Sequence, residues 1–265
     1  MSIFEAIILG AVQGLTEFLP VSSSGHLVLL QNIFRISDSV LLFDTMVHVG
    51  TLFAVFVVLW QDIWHILRRP FQPLTFYLIL ATIPAVVVAL IFKEQIEKAF
   101  SSASFLGFAF LITSALLTIS EFLSRHSGRL KTQETMNWLD AFTIGILQAV
   151  AIIPGVSRSG STLSGALSCK LDRDFGARFS FLLSIPAILG ALILQIKDIT
   201  SGQAPESIPL PLIAAGTVTA ALIGFFAVKL MLRIVRESSL LGFALYTAVL
   251  GALVLLDQYV THLFF

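Results

Sequence analysis

The chain has 265 residues, of which 57% are hydrophobic and only 12% charged, and apolar runs recur along its whole length. This composition excludes a soluble globular domain and predicts a polytopic membrane protein whose main environment is lipid. Sixteen basic residues balance sixteen acidic ones, so no overall field favours nucleic acid as a partner.

A motif near the N-terminus occurs twice in the chain. Residues 10–25 return as residues 145–160, shifted by 135 positions without a gap, and both copies keep a Gln and the pattern Val-Ser-x-Ser-Gly. The copies differ in charge, because Glu17 of the first copy is an Ile in the second, and Arg158 of the second is a Ser in the first. The sequence therefore predicts a duplicated unit, each copy of which supplies half of a charged site.

Each motif is predicted to form a re-entrant helical hairpin. About eighteen mostly apolar residues reach Pro20, a Ser/Gly cluster interrupts them, and only the short apolar stretch from Leu27 to Phe34 follows. That length is too small for two full crossings of a bilayer. Because broken backbone at membrane depth is tolerated only where protein or a wet cavity surrounds it, we expect two short helices joined at Val-Ser-x-Ser-Gly.

Three long apolar stretches follow each motif, which predicts six transmembrane helices. They lie at roughly 40–60, 73–92, 105–123, 176–196, 208–228 and 240–260. The predicted fold is an all-α polytopic membrane protein, a single membrane domain over residues 1–265 with repeats at about 1–130 and 136–265. Three spans per repeat is an odd number, so the second copy enters from the opposite side, as an inverted-topology repeat whose two hairpin tips meet near the midplane.

The positive charges predict how this fold is oriented. Apart from Arg158, eleven Lys and Arg residues fall on one face of the predicted topology and four on the other. By the positive-inside tendency the richer face is cytoplasmic. Both termini and the mouth of the first hairpin are then expected outside.

Glu17 is the first candidate functional residue, because a charged side chain at the bilayer centre costs about 2.5 to 3.5 kcal/mol and needs a cavity, a partner or a proton. Gln13 precedes it by four residues, so the two share one helix face. A carboxylate and an amide oxygen together suit a hard cation such as Mg²⁺ or Ca²⁺. A protonated, hydrogen-bonded structural Glu is the alternative.

The break in the first hairpin places serine hydroxyls within one turn of His26. A Ser beside a general base is the minimal arrangement for nucleophilic or acid-base chemistry, which makes Ser23 a candidate nucleophile. Ser/Gly clusters also cap or break helices without any further role, so Ser-x-x-His alone is a weak signal. The expected binding residues of this segment are Ser22, Ser24 and Gly25.

The second motif resembles a phosphate cradle. Glycines permit close approach of the backbone, hydroxyls donate hydrogen bonds, and the following helix presents free N–H groups to an anion. Arg158 adds a planar fork that suits phosphate oxygens, and a structural ion pair with Glu17 is the alternative for it. The expected substrate-binding residues here are Gly155, Ser157, Ser159, Gly160, Ser161 and Thr162.

Asp44 and His48 share a helix face near the start of the first predicted span. Such a pair is either a second layer around a site or a pair of interfacial polar residues. We favour the interfacial interpretation at this point.

Residues 13–26 together with residues 154–160 resemble the bacterial undecaprenyl-diphosphatase family, also called bacitracin resistance proteins, and the resemblance spans the entire chain. It implies an integral enzyme of the bacterial plasma (inner) membrane, and the distribution of positive charge described above predicts that its site opens to the periplasmic side. Such an enzyme removes the terminal phosphate of undecaprenyl diphosphate with the help of a divalent metal. The product is the carrier lipid of peptidoglycan synthesis.

The same resemblance implies roles for individual residues. Glu17 matches the essential carboxylate, Ser23 the hydroxyl proposed as nucleophile, and His26 the catalytic imidazole, while Arg158 with Ser157 matches the diphosphate-binding motif. Gln13 occupies a position that is often Glu in the family. That difference removes one negative charge from the expected metal site, so Glu17 and the substrate phosphates are left as its main ligands.

Two other classes of function stay open on the sequence alone. Inverted repeats with broken helices are also a transporter architecture, so a flippase of the monophosphorylated lipid is the alternative to hydrolysis. A purely structural membrane subunit would leave the Glu, His and Arg in apolar segments unexplained. The partners expected are a polyprenyl diphosphate and membrane lipid, and a homo-oligomer is left open.

Overall fold

The protein is described here from a computed structural model, which covers residues 1–36, 40–125, 130–200 and 208–264. In these ranges the regular structure is helical, apart from one short bridge of backbone hydrogen bonds that joins Lys131 to residues 170 and 172. The helices are α1 (Ile3–Thr16), α2 (Ser23–Ile33), α3 (Leu41–Val58), α4 (Trp60–Arg68), α5 (Pro73–Ile91), α6 (Lys93–Ser102), α7 (Leu106–Arg125), α8 (Trp138–Val150), α9 (Arg158–Ser168), α10 (Arg173–Leu182), α11 (Ser184–Thr200), α12 (Leu210–Glu237) and α13 (Leu241–Leu256), followed by a π-helical turn (Asp257–Thr261).

Within the described ranges, six helical segments are long and apolar enough to cross a membrane, which confirms the predicted number. They are Leu41–Val58, Pro73–Ile91, Leu106–Ser124, Arg173–Leu194, Leu210–Glu237 and Leu241–Thr261. The protein is therefore an all-α, multi-pass membrane protein.

Two of these segments differ from the predicted spans. The fourth begins at Arg173 rather than near 176 and is interrupted at Leu183 between α10 and α11. Pro186 explains the interruption, because its ring clashes with the carbonyl of the residue four positions earlier. The fifth runs to Glu237, well beyond the predicted end near 228, and Arg236 in its last turn stabilises the negative end of the helix dipole.

The two motif segments fold as pairs of short helices that break at Val-Ser-x-Ser-Gly. α1 and α2 have 14 and 11 residues, and α8 and α9 have 13 and 11. The breaks share one capping hydrogen bond: Ser22 Oγ accepts the Gly25 N–H at 3.1 Å, and Ser157 Oγ accepts the Gly160 N–H at 3.0 Å. The re-entrant placement of these pairs in a bilayer, and their entry from opposite sides, stay predictions.

The first helix of each motif packs closely against a transmembrane helix of the other repeat. A Cβ added to Gly10 on α1 would lie 2.3 Å from the Gly216 carbonyl oxygen on α12, and one added to Gly145 on α8 would lie 2.7 Å from the Ala81 carbonyl oxygen on α5. Both pairs are related by the 135-residue shift, since 10 corresponds to 145 and 81 to 216. The first helix of each motif thus packs on the middle span of the other repeat. The single membrane domain and the repeat boundaries stay predictions.

α7 and α13, which are also equivalent, pack directly against each other. A Cβ on Gly107 would meet Leu255, and one on Gly251 would lie 2.9 Å from the Gly107 carbonyl oxygen. This close helix pair lies where the two repeats meet. Beneath the first hairpin, Phe18 is fully buried and packs edge-on against Phe181 at 5.5 Å between ring centroids, which fixes the helix end that carries Glu17.

We predict that Gly10→Ala destabilises the protein, because the new methyl group overlaps backbone that cannot move without separating α1 from α12. The expected cost is about 1 to 3 kcal/mol, as for overpacking elsewhere. Gly190→Ala is the matched control, since a Cβ there meets no atom within 4 Å and improves helix propensity. Thermal unfolding of both purified variants in detergent measures the difference, and equal melting temperatures would contradict the tight packing.

Candidate active site

Glu17 lies at the C-terminal end of α1, 5% exposed, and each carboxylate oxygen has its own partners. Oε1 accepts a hydrogen bond from Arg158 Nη2 at 2.5 Å. Oε2 accepts from Gln13 Nε2 at 2.9 Å and from Ser23 Oγ at 2.6 Å, and it lies 3.5 Å from His48 Nε2. The two motif copies therefore meet through an ion pair between residues 141 positions apart.

The break between α1 and α2 brings Ser23 back onto Glu17. Ser22 adopts φ 73°, in the left-handed region that few residues other than glycine occupy. This turn allows Ser22 to cap α2 and aims the Ser23 side chain at the carboxylate that ends α1. A hydroxyl that donates to a carboxylate is the contact required of an activated nucleophile.

The second break presents Arg158 as the first residue of α9. Gly155 adopts φ 88°, a backbone conformation that favours glycine. A Cβ at this position would also overlap the side chains of Leu106 and Ala109, which is a second reason for glycine here. Ser159 Oγ donates to the Leu19 carbonyl oxygen at 3.0 Å, which ties the second hairpin to the first beside the ion pair.

Glu17 and Arg158 line a cavity of about 840 Å³. Its other polar lining residues are Ser23, Ser24, Gln31, Asn32, Asp44, Thr45, His48, Ser157 and Ser159. The remaining wall is apolar, with Leu27, Val28, Ile36, Val40, Leu41, Ile152, Val156 and Ile188 among its residues. One end of the cavity is thus charged and rich in hydroxyl groups, and the rest of its wall is apolar.

Several of the predicted binding residues build the hairpin instead of lining this cavity. Ser22 caps α2 through the N–H of Gly25, and Gly160 gives its N–H to Ser157. Thr162 bonds the Arg158 carbonyl and the Ser180 hydroxyl inside the protein. Ser161 and Gly155 are likewise not among the cavity-lining residues, and Gln13 is fully buried behind Glu17.

His26 also points away from the cavity. Its Nδ1 lies 2.7 Å from the Ser22 carbonyl oxygen and its Nε2 lies 2.7 Å from the Tyr246 hydroxyl, with the two rings stacked at 5.8 Å. A carbonyl only accepts hydrogen bonds, so Nδ1 carries the hydrogen and Nε2 accepts from Tyr246. In this conformation both described hydrogen bonds of the imidazole are to groups other than Ser23 and Glu17.

Asp44 and His48 do line the cavity, so the interfacial interpretation favoured for them is wrong. His48 faces Glu17, and Asp44 Oδ1 accepts from Gln31 Nε2 at 2.9 Å. Their four-residue spacing is the signal in the sequence that could have found them. The spacing does not show whether that helix face points toward the hairpin or away from it.

The structure offers few ligands for a metal ion. Among the described residues no group of three His, Cys, Asp or Glu side chains could hold one. Gln13 Oε1, however, is buried without a hydrogen-bond partner in the described structure, beside the Glu17 carboxylate. The Glu17 carboxylate lines the cavity and suits a Mg²⁺-type cation that takes further ligands from phosphate and water, whereas Gln13 Oε1 does not line the cavity and would have to reach such a cation from behind Glu17.

Arg158 is a matching donor for an anion. Its Nη1 atom is buried and has no hydrogen-bond partner among the described residues, although Nη2 is paired with Glu17. A buried donor of this kind is costly unless a ligand completes it. The fold and the site together define a membrane protein with a candidate anion site. In it, one nitrogen of a buried arginine is paired with a carboxylate, the other has no described partner, and a serine hydroxyl contacts the same carboxylate.

Comparison with known proteins identifies the family. The family model of bacitracin resistance protein BacA matches residues 6–253, and the chain belongs to that family. An undecaprenyl-diphosphatase of Carboxydothermus hydrogenoformans is 46% identical, over 97% of this chain and 98% of the relative. Undecaprenyl-diphosphatase 4 of Bacillus thuringiensis is 44% identical over both full lengths, and an undecaprenyl-diphosphatase of Methanosphaera stadtmanae is 38% identical over 97% of this chain and 98% of the relative.

Proposed function

We propose that this protein is a phosphatase that hydrolyses undecaprenyl diphosphate to undecaprenyl phosphate and inorganic phosphate. The observation that carries the proposal is the contact of Ser23 Oγ with Glu17 Oε2, next to the unpaired Nη1 atom of Arg158. Full-length relatives with 38 to 46% identity carry the name of this enzyme. The reaction recycles the carrier lipid of cell-wall synthesis, and removal of its diphosphate form accounts for a link to bacitracin resistance.

The cavity suits such an amphiphilic substrate. A diphosphate head fits the charged end at Arg158 and the N-terminus of α9, where an anion is stabilised by N–H groups and by the helix dipole. The apolar wall suits the first isoprene units, and the rest of the prenyl chain extends into lipid. Site polarity and lining therefore select a phosphorylated lipid rather than a soluble nucleotide.

Hydrolysis is assigned to the residues at the ion pair. The Ser23 hydroxyl, or a water in its place, attacks the terminal phosphorus; its proton passes to Glu17 Oε2, and the bond from that phosphorus to the bridging oxygen breaks. Undecaprenyl phosphate leaves with the bridging oxygen. If Ser23 is the attacking group, water then releases phosphate from the serine.

Two further groups belong to this proposal. A bound Mg²⁺ or Ca²⁺ would neutralise charge on the diphosphate, with Glu17 and Gln13 Oε1 as its protein ligands. His26 is proposed as an acid-base residue by its match to the family motif, and for this role it has to exchange its bond with Tyr246 for a contact near Ser23.

The rival transporter function is less well supported. A carrier needs a binding site for the head group but no hydroxyl aligned on a carboxylate. Ser23 and Glu17 have that alignment at 2.6 Å. We therefore favour hydrolysis, and a purely structural role leaves the same contact without a purpose.

We further propose that the protein lies in the bacterial inner membrane with the cavity open to the periplasm. Ala103, which follows α6, lines the cavity, whereas Arg68 and Arg69 precede α5 on the other side of that span. Positive charge marks the cytoplasmic end of a span. The cavity mouth is then on the outer face.

We predict that Arg158→Ala and Glu17→Ala each lower turnover by at least about 100-fold, the usual effect of losing a group that stabilises developing charge. Release of inorganic phosphate from farnesyl diphosphate by purified protein with Mg²⁺ measures this. Wild-type activity should disappear when EDTA removes the metal. Arg233→Ala is the control, because Arg233 is exposed and its described ion pair is with Glu237 on its own helix.

Near-normal rates in both site variants would discard the site. Wild-type protein that binds the lipid yet releases no phosphate would instead support the carrier.

We predict that a membrane-impermeant maleimide labels Glu94→Cys in intact cells but reaches Phe71→Cys only after the cells are permeabilised. Both positions are exposed and α5 separates them, so they lie on opposite sides of the membrane. The native Cys169 is replaced by Ala in both variants. The reverse labelling pattern would show that the cavity opens to the cytoplasm.

A further inference from the structure

One face of α7 packs against the break between α8 and α9. A Cβ added to Gly155 would lie 2.8 Å from the Leu106 side chain and 2.9 Å from the Ala109 side chain. A Cβ added to Gly160 would lie 3.3 Å from the Cγ2 atom of Thr113. The three α7 residues are spaced by three and four positions, so they lie on the same side of the helix. This face therefore sets how closely the break approaches α7.

Thr113 also holds the break by a hydrogen bond. Its side chain is fully buried, and its Oγ1 atom accepts the Ser157 N–H at 3.0 Å. The hydroxyl hydrogen of Thr113 goes to the Ala109 carbonyl oxygen at 3.1 Å, so the group both donates and accepts. Ser157 is the N-cap of α9, and the N–H groups at a helix start have no partner within the helix. Without Thr113 this buried N–H would lose its described acceptor.

The bond to Thr113 begins a chain of hydrogen bonds that reaches the first hairpin. The hydroxyl oxygens of Ser157 and Ser159 are 3.3 Å apart, and Ser159 donates to the Leu19 carbonyl oxygen at 3.0 Å. Because the Ser159 hydrogen is used on that carbonyl, Ser157 is the donor between the two hydroxyls. Arg158 lies between these serines in the sequence. A shift of the Ser157 backbone therefore also moves Arg158, whose buried Nη1 atom has no described partner.

The symmetry of the repeats does not extend to this hydrogen bond. The 135-residue shift pairs Thr113 with Ala248, which has no hydroxyl, and it pairs Ser157 with Ser22. Ser157 has φ −70° and Ser22 has φ 73°, so the two breaks differ at the residue that the hydroxyl holds. The acceptor is therefore a feature of the break that carries Arg158.

We propose that Thr113 is a positioning residue, which holds the Ser157 N–H and thereby keeps Arg158 where its Nη1 atom can bind the diphosphate. It acts from α7 and is not among the residues that line the cavity. This inference rests on the proposed phosphatase function. It adds to that function a residue that touches neither the substrate nor the reacting atoms.

The test compares Thr113→Val with Thr113→Ser in the phosphate-release assay with purified protein, farnesyl diphosphate and Mg²⁺. Val has nearly the shape of Thr but no acceptor, so we expect kcat/KM to fall by about 10- to 100-fold, as when a reacting group is misplaced by about 1 Å. Ser keeps the hydroxyl, loses only the Cγ2 methyl group and should keep most of the activity. Thr51→Val is the matched control, because Thr51 is also fully buried and its described hydrogen bond is to the His48 carbonyl oxygen on its own helix.

A second measurement separates positioning from folding. Methylenediphosphonate, a competitor that cannot be hydrolysed at its bridge, should bind the Thr113→Val variant about 10-fold more weakly, because Arg158 no longer points its free nitrogen at the anion. A smaller folded fraction would lower kcat without changing the inhibition constant. Thr113→Ala also removes the acceptor and should give the same change.

An unchanged kcat/KM or an unchanged inhibition constant in the Thr113→Val variant would overturn the inference. So would a Thr113→Ser variant as impaired as Thr113→Val, since that result assigns the role to the methyl group and its packing. If neither Thr113→Val nor Thr113→Ala folds, the hydrogen bond is purely structural and the inference fails. Absence of phosphate release from the wild-type protein is a different result, which would reject the proposed function itself.

Discussion

The candidate site depends on one buried ion pair, Glu17 with Arg158, formed where the breaks of the two helix pairs meet. Each charge alone is expensive at membrane depth, and breaking a buried pair by removing one partner costs about 3 to 5 kcal/mol. The pair therefore holds the two hairpins together, and neither residue can be replaced alone without leaving a buried charge unpaired. It is also incomplete, because Arg158 keeps a buried donor without a partner in the described structure. The ion pair stabilises the fold, and the unpartnered Arg158 donor favours the binding of an anion.

The duplicated chain explains how such a pair arises. A Ser cap and a following Gly occur in both copies, although the residue with positive φ is Ser22 in the first break and Gly155 in the second, so the two breaks share their capping hydrogen bond but not their backbone angles. Function lies in the differences: Glu17 faces Arg158, whereas its counterpart Ile152 lines the apolar part of the same cavity. The first copy carries the carboxylate and the second carries the guanidinium. The exchanged packing of α1 on α12 and of α8 on α5 holds the two tips in register.

Much of this could be predicted from the sequence, because the signals are long and physical. Apolar length predicted six spans, and the interrupted motifs predicted helix pairs that break at Val-Ser-x-Ser-Gly. The contact between Glu17 and Arg158 followed from the cost of burying either residue alone. The role of the α3 face did not follow, since spacing shows that Asp44 and His48 share a face but not where that face points. The orientation of His26 toward Tyr246 depends on a partner 220 residues away, which no local pattern contains.

The most direct measurement of the central claim is an experimental structure of the protein with a methylene-bridged prenyl diphosphonate and Mg²⁺. We expect the terminal phosphonate to lie within hydrogen-bond distance of Arg158 Nη1, with its phosphorus atom facing Ser23. The prenyl chain of the compound should lie along Leu27 and Ile188. A head group bound elsewhere, with Glu17 and Arg158 closed on each other through two hydrogen bonds, would contradict it.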